Sequence, residues 1–219
     1  MNVTFRRATA EDKEFLIDAI IEAEKSGTDT ISYCAVFSIS EAELRDTLSN
    51  ILDEDMAGQE LYIPGFLIAE VDGVPAATIS GWVEKEEGMA SSMIKSNLFM
   101  YHTDREVLMK AVPAMTLVNA VNIDREPMAL QLECVYTAEG YRGIGLVSRL
   151  IEQHILACRQ EGKEIRKAQI ILMANNTPAI RAYSKAGFSI VKEKKSDKPE
   201  ITNLLSCDTK IMMERNLNT

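Results

Sequence analysis

Val135-Tyr136-Thr137-Ala138-Glu139-Gly140-Tyr141-Arg142-Gly143-Ile144-Gly145-Leu146 stands between two regular segments. Before it, residues 128–137 form an apolar run, Met-Ala-Leu-Gln-Leu-Glu-Cys-Val-Tyr-Thr, of strand character. After it, Val147, Leu150, Ile151, His154, Ile155 and Cys158 recur at the spacing of one helix face. The stretch is therefore a strand–turn–helix junction. Glycines there let a ligand come close to the backbone. The free N–H groups of a helix start, together with the helix dipole, make an anion site. Arg142 adds a local positive charge. The spacing Gly140-x-x-Gly143-x-Gly145 is neither a P-loop nor the G-x-G-x-x-G of dinucleotide folds. It also lies two-thirds of the way along the chain, whereas a dinucleotide fingerprint usually occupies the first strand–helix turn.

A local anion site matters because the chain as a whole is acidic. Its 219 residues carry 33 acidic and 24 basic side chains, a net charge of −9. Such a surface repels phosphate backbones, so nucleic acid is not an expected partner. The start, Met1-Asn2-Val3-Thr4-Phe5-Arg6-Arg7, lacks an apolar signal core, and no run approaches the ~20 apolar residues of a membrane span. Cys34, Cys134, Cys158 and Cys207 form no C-x-x-C pair, and His102 and His154 are the only histidines. No metal site is expected from them. Buried free thiols at Cys134 and Cys158 and a reducing, cytoplasmic setting fit this usage.

The rest of the chain reads as alternating strands and helices. Residues 3–7 alternate as a strand, and Phe15, Leu16, Ala19, Ile20 and Ala23 mark a helix over 11–25. A polar stretch, 26–40, leads to a helix capped by Ser40. Phe66–Val71, the turn Asp72-Gly73 and a strand from Val74 to Glu84 make a hairpin. Residues 88–127 suggest a helix around Leu108–Val121, kinked or divided at Pro113. A strand at 168–174, a helix at 177–185, a strand at 188–192 and a last strand near 207–214 complete the chain. This order predicts one α/β domain, 1–219, with a mixed central sheet, helices on both faces and a helical insert at 88–127.

A second stretch, Asn176-Thr177-Pro178-Ala179-Ile180-Arg181-Ala182-Tyr183-Ser184-Lys185-Ala186-Gly187-Phe188, lies one strand beyond the glycine turn. The two stretches together resemble the GCN5-related N-acetyltransferases. That family combines a [Gln/Arg]-x-x-Gly-x-[Gly/Ala] turn with an Asn-x-x-Ala-x-x-x-Tyr-x-x-x-Gly-Phe segment. The resemblance covers about 1–84 and 128–217. It implies the acyl-CoA N-acyltransferase fold, acetyl-CoA as cosubstrate and an amine as acceptor. Gly140 departs from the family, replacing a side chain of the pyrophosphate turn, and Thr137 stands where many members have Pro.

The resemblance also distributes roles. Val135, Tyr136 and Thr137 lie on the strand that would offer its backbone edge to the pantetheine arm. Gly143, Ile144, Gly145 and Leu146 would give N–H groups to the pyrophosphate, with Arg142 beside them. The side chain of Leu146 is more simply core, and Arg142 could equally be a solvated surface charge. Asn176 would hold the cofactor or cap its helix. Tyr183 would protonate the leaving thiolate, against the plainer reading of a packing tyrosine with another hydrogen-bond partner. Glu133 interrupts an apolar strand, shares parity with Val135 and Thr137, and is the candidate base for the acceptor amine. His154 reads as a satisfied core histidine; His102, Glu84 and Glu86 are weaker candidates. The insert, with its methionines and with Phe99 and Tyr101, is expected to pack over the acceptor side. A small amine or a protein amine would serve as acceptor, and the chain would be a monomer or a homodimer. A non-catalytic acyl-CoA-binding or sensing module of the same fold is the alternative.

Overall fold

The computed structural model describes residues 1–86 and 88–217. Seven strands form one sheet: β1 (Val3–Arg7), β2 (Phe66–Val71), β3 (Val74–Val83), β4 (Leu130–Thr137), β5 (Lys167–Met173), β6 (Ser189–Lys195) and β7 (Thr209–Asn216). Their order across the sheet is β1-β2-β3-β4-β5-β7-β6. Every adjacent pair is antiparallel except β4 and β5, which run parallel.

Among the described residues seven α-helices cover the two faces: α1 (Lys13–Lys25), α2 (Ser32–Phe37), α3 (Glu41–Leu52), α4 (Ser91–His102), α5 (Arg105–Asn119), α6 (Leu146–Gln160) and α7 (Thr177–Lys185). Strand β2 shows why both faces need cover. Leu67, Ala69 and Val71 point into a core built with α6 and α7, while Phe66 and Ile68 point into a core built with α1, α3, α4 and α5. A two-residue side-chain period with apolar residues at nearly every position allows no solvated face. The mixed sheet and the helices on both sides match the expectation.

Three local readings need correction. The polar stretch 26–40 contains α2, whose Phe37 is buried; its short length gave little periodicity to detect. The insert holds two helices, but they are divided at 103–104 rather than at Pro113. Pro113 sits on the exposed side of α5, where water can satisfy the carbonyl group that a proline leaves without a donor. The sheet parity of β4 also differs. Thr78 pairs with Tyr136 but Ser80 pairs with Glu133, so both Cys134 and Val135 oppose Ile79. This is a β-bulge, with Cys134 in the left-handed region at φ 50°. Leu132 and Val135, three residues apart, consequently face the same α6-side core. Glu133 therefore does not share a face with Val135.

His154 is the core histidine that its helical position suggested. It is buried on α6, its Nε2 hydrogen-bonds the Ile79 carbonyl at 3.0 Å, and burial pushes its pKa down to about 4. Gly81 on β3 makes room for the ring, since a Cβ there would lie 2.6 Å from Nδ1. Gly81→Ala is expected to destabilise the protein by about 1–3 kcal/mol through overpacking, read as a lower melting temperature. An unchanged melt would show that the imidazole is free to move.

Candidate active site

The parallel seam between β4 and β5 is short. Only Leu130, Gln131 and Leu132 pair with Ala168, Gln169 and Ile170. Beyond them the strands diverge, and the bulge at Cys134 turns the rest of β4. A cavity of about 550 Å³ opens at the divergence. Glu133, Cys134 and Val135 of β4, Ile171 and Leu172 of β5, Asn176 and Tyr183 of the α7 segment, and Lys210 of β7 line its sheet side. The end of α1 and the insert helices close the opposite side, with Glu24, Tyr33, Lys95 and Phe99 among the lining residues.

In the turn that follows β4, Gly143 and Gly145 hold φ of 82° and 81°, and Gly145 caps α6. A Cβ at either position would meet no protein atom within 4 Å, so the turn borders open space. The exposed Ile144 lies between them, and the side chain of Leu146 is buried in the core as expected. Arg142 donates from Nε to the Thr137 carbonyl at 3.3 Å, which fastens the turn to the end of β4. Tyr136 points away from this edge and meets Phe15 of α1 edge-on at 6.0 Å. Asn176 takes the capping role, accepting from the Ala179 N–H at 3.3 Å.

Tyr183 is 6% exposed, packed near Phe188, and its hydroxyl has no hydrogen-bond partner among the described residues. The reading of a tyrosine engaged elsewhere therefore finds no support. Burial and, secondarily, the charge of Glu133 raise its pKa, so it keeps its proton at neutral pH. Glu133 receives the Arg125 Nη2 on Oε1 at 2.8 Å. Burial raises the Glu133 pKa, and the nearby Arg125 opposes this without cancelling it.

The sequence reading missed most of the cavity's charge. Glu60 pairs with Lys95, which also reaches the Tyr33 hydroxyl at 3.4 Å. Arg125 lies over the Trp82 ring at 5.3 Å. Glu24 lines the wall with its pKa pushed up to about 7 by burial, and burial lowers that of Lys210. Signals for these residues were present. Glu24 continues the stripe Leu16, Ile17, Ile20, Ile21, and Lys95 lies on the buried stripe of α4 with Ser91, Ile94 and Leu98. A charge on an apolar stripe needs a polar recess to face.

The weaker candidates have structural partners. Glu84 accepts from Trp82 Nε1 at 3.1 Å and from the Ser91 N–H at 3.2 Å, anchoring the start of α4. Glu86 pairs with Lys163, and His102 with Glu54. In the insert, Phe99 lines the cavity, but Tyr101 is 80% exposed and Met89, Met93 and Met109 also face outward. Tyr101, Met93 and Met109 lie off the buried stripes of α4 and α5, and Met89 precedes α4.

The model of the acetyltransferase (GNAT) family matches residues 33–188, well over half of the chain. The chain belongs to the acetyltransferase (GNAT) family. As a member it is an acetyl-CoA-dependent N-acetyltransferase. Solved structures share the fold at low identity. An N-acetyltransferase from Staphylococcus aureus Mu50 superposes with a TM-score of 0.66 at 14% identity, over 96% of this chain and 99% of that one. Another acetyltransferase gives 0.62 at 16% identity, over 98% and 100%. The yncA protein of Salmonella typhimurium, solved with its cofactor acetyl-CoA, gives 0.53 at 14% identity, over 100% and 96%. No curated protein matches the chain by sequence. Among the described residues no helix is long and apolar enough to cross a membrane.

Proposed function

We propose that this GNAT protein transfers an acetyl group to an amine held in the β4–β5 cavity, by direct attack in a ternary complex. The observation that carries this reading is the partnerless Tyr183 hydroxyl, set in the same cavity as Glu133 where the two strands diverge. Acetyl-CoA supplies the thioester. The residues present fit it: a glycine turn bordering open space, the free N–H groups at the start of α6, and a stretch of β4, Val135, Tyr136 and Thr137, that has no strand partner on its β5 side. Gly143, Ile144, Gly145 and Leu146 would hold the pyrophosphate through backbone N–H groups, with Arg142 bracing the turn. Asn176 keeps α7, and so Tyr183, in place.

The acceptor arrives as an ammonium ion and must lose a proton before it can attack. Glu133 takes that proton on Oε2, since Arg125 engages only Oε1. Tyr183 donates a proton to the leaving sulfur. The insert, residues 88–127 of a single domain, forms the acceptor wall, with Lys95, Ser96, Phe99, Met100 and Met115 among the lining residues.

A panel of amines assayed with acetyl-CoA for free thiol tests the reading. Release with at least one amine is expected, and acetyl-CoA binding without release from any amine would overturn it. Glu133→Gln is expected to lower kcat/KM by about 10²-fold near neutral pH. A carboxylate works as a base only when ionised, so the wild-type rate should rise with pH through the raised pKa of Glu133. The gap between wild type and variant should close at high pH, where the free amine forms unaided. Parallel pH–rate profiles would remove Glu133 from the role.

A further inference from the structure

The charges in the cavity are not all paired. Glu60 pairs with Lys95 and Glu133 with Arg125. Of the lining charges that are shielded from solvent, Glu24 and Lys210 remain: neither forms an ion pair or a side-chain hydrogen bond with any described residue, whereas Lys85 and Asp124, also on the lining, are exposed. Each nevertheless feels the other's charge, because each shifts the other's titration. They belong to different walls, Glu24 to the end of α1 and Lys210 to β7 opposite Met173. Glu60, 5% exposed on the same cavity, adds a buried Oε2 that has no partner.

Leaving one carboxylate and one ammonium partly desolvated and unpaired is costly. A ligand with both signs of charge relieves both at once. A plain amine would satisfy Glu24 but add a cation to a cavity where Lys210 is already unmatched. A carboxylate beside the amine removes that conflict. The cavity of about 550 Å³ must also admit the acetyl-bearing end of the cosubstrate, which restricts the acceptor to a small molecule.

Resting on the acetyltransferase reading, we propose that the acceptor is a small amino-carboxylate of the amino-acid class, its ammonium end facing Glu24 and its carboxylate held by Lys210. The reaction then balances simply. The ammonium gives one proton to Glu133, the N–C bond forms as the C–S bond breaks, the sulfur takes the Tyr183 proton, and the second proton shed by the nitrogen restores the Tyr183 hydroxyl. The product is an N-acetyl amino-carboxylate with one positive charge fewer than its precursor. Glu24 thereby loses its counter-ion while Lys210 keeps its own, which favours release.

The test uses the full chain, acetyl-CoA, the standard amino acids and their decarboxylated amines, scored by thiol release. The kcat/KM for the preferred amino acid should exceed that of its decarboxylated amine by at least about tenfold. Lys210→Met should reduce this ratio by about ten- to a hundredfold, with acetyl-CoA affinity measured in parallel by calorimetry. Lys210→Gln serves if the Met variant does not fold. A wild-type ratio near one, a ratio unchanged in the folded variant, or turnover of amines with none of any amino acid overturns the acceptor class and leaves the transferase reading standing. Failure to bind acetyl-CoA, or binding without release from any acceptor, overturns that reading and this proposal with it.

Discussion

Tyr183→Phe should lower kcat by about 10²–10⁴-fold while leaving acetyl-CoA affinity near wild type. The substitution removes only the hydroxyl, which has no partner among the described residues. The ring keeps its packing, with the Phe188 centroid 6.4 Å away. Folding should change little, because no buried donor or acceptor is stranded by the loss. An effect on kcat and kcat/KM together, without a shift in binding, is the signature of a group that acts only as the bond breaks. Steady-state kinetics, calorimetry with acetyl-CoA and a thermal melt on one preparation measure all three quantities. A kcat within twofold of wild type at every pH would assign protonation of the sulfur to water.

Gly145→Val should weaken acetyl-CoA binding by more than about a hundredfold, because the turn must offer its N–H groups at close range. Two effects act on this residue and they can be separated. A β-branched residue at φ 81° is strained, which costs about 1–3 kcal/mol of stability. The added carbon atoms meet no protein atom within reach, so no clash is added to that strain. The variant should melt lower yet remain folded at room temperature. Binding measured there by calorimetry reports the loss of the anion site itself. A folded variant with wild-type affinity would falsify the pyrophosphate turn.

Much of the sheet was legible because its strands are short apolar runs bounded by clear turns, as at Asp72-Gly73. The glycine turn and the Tyr183 segment were legible as local motifs. What escaped the sequence was non-local. The bulge at Cys134 leaves no signature, because a cysteine at positive φ looks like any other strand residue, and it reversed the face assigned to Glu133. The partner of Glu133, Arg125, comes from the end of the insert, and only folding brings them together. Glu24 and Lys210 were visible as charges among apolar neighbours, but nothing in the order of residues says that α1 and β7 wall one cavity. In the insert, methionine content told only part of the story: Met100 and Met115 line the cavity, while Met89, Met93 and Met109 face outward.

The three-pair seam between β4 and β5 also bears on how the molecule comes apart. Each half of the sheet is a continuous antiparallel ladder, β1 to β4 on one side and β5 to β7 on the other. Between them lie three residue pairs, the packing of α6 against α7 and the small core that joins Val121 of the insert to Met173, Ile201 and Leu205. Partial opening should therefore begin at this line, with the two ladders persisting as separate cooperative units. A molecule wedged between the diverging strands bridges both units, so occupancy of the cavity and cohesion of the whole chain rise together. The gap that admits the substrate is thus also the fault line of the protein, and the substrate is what mends it.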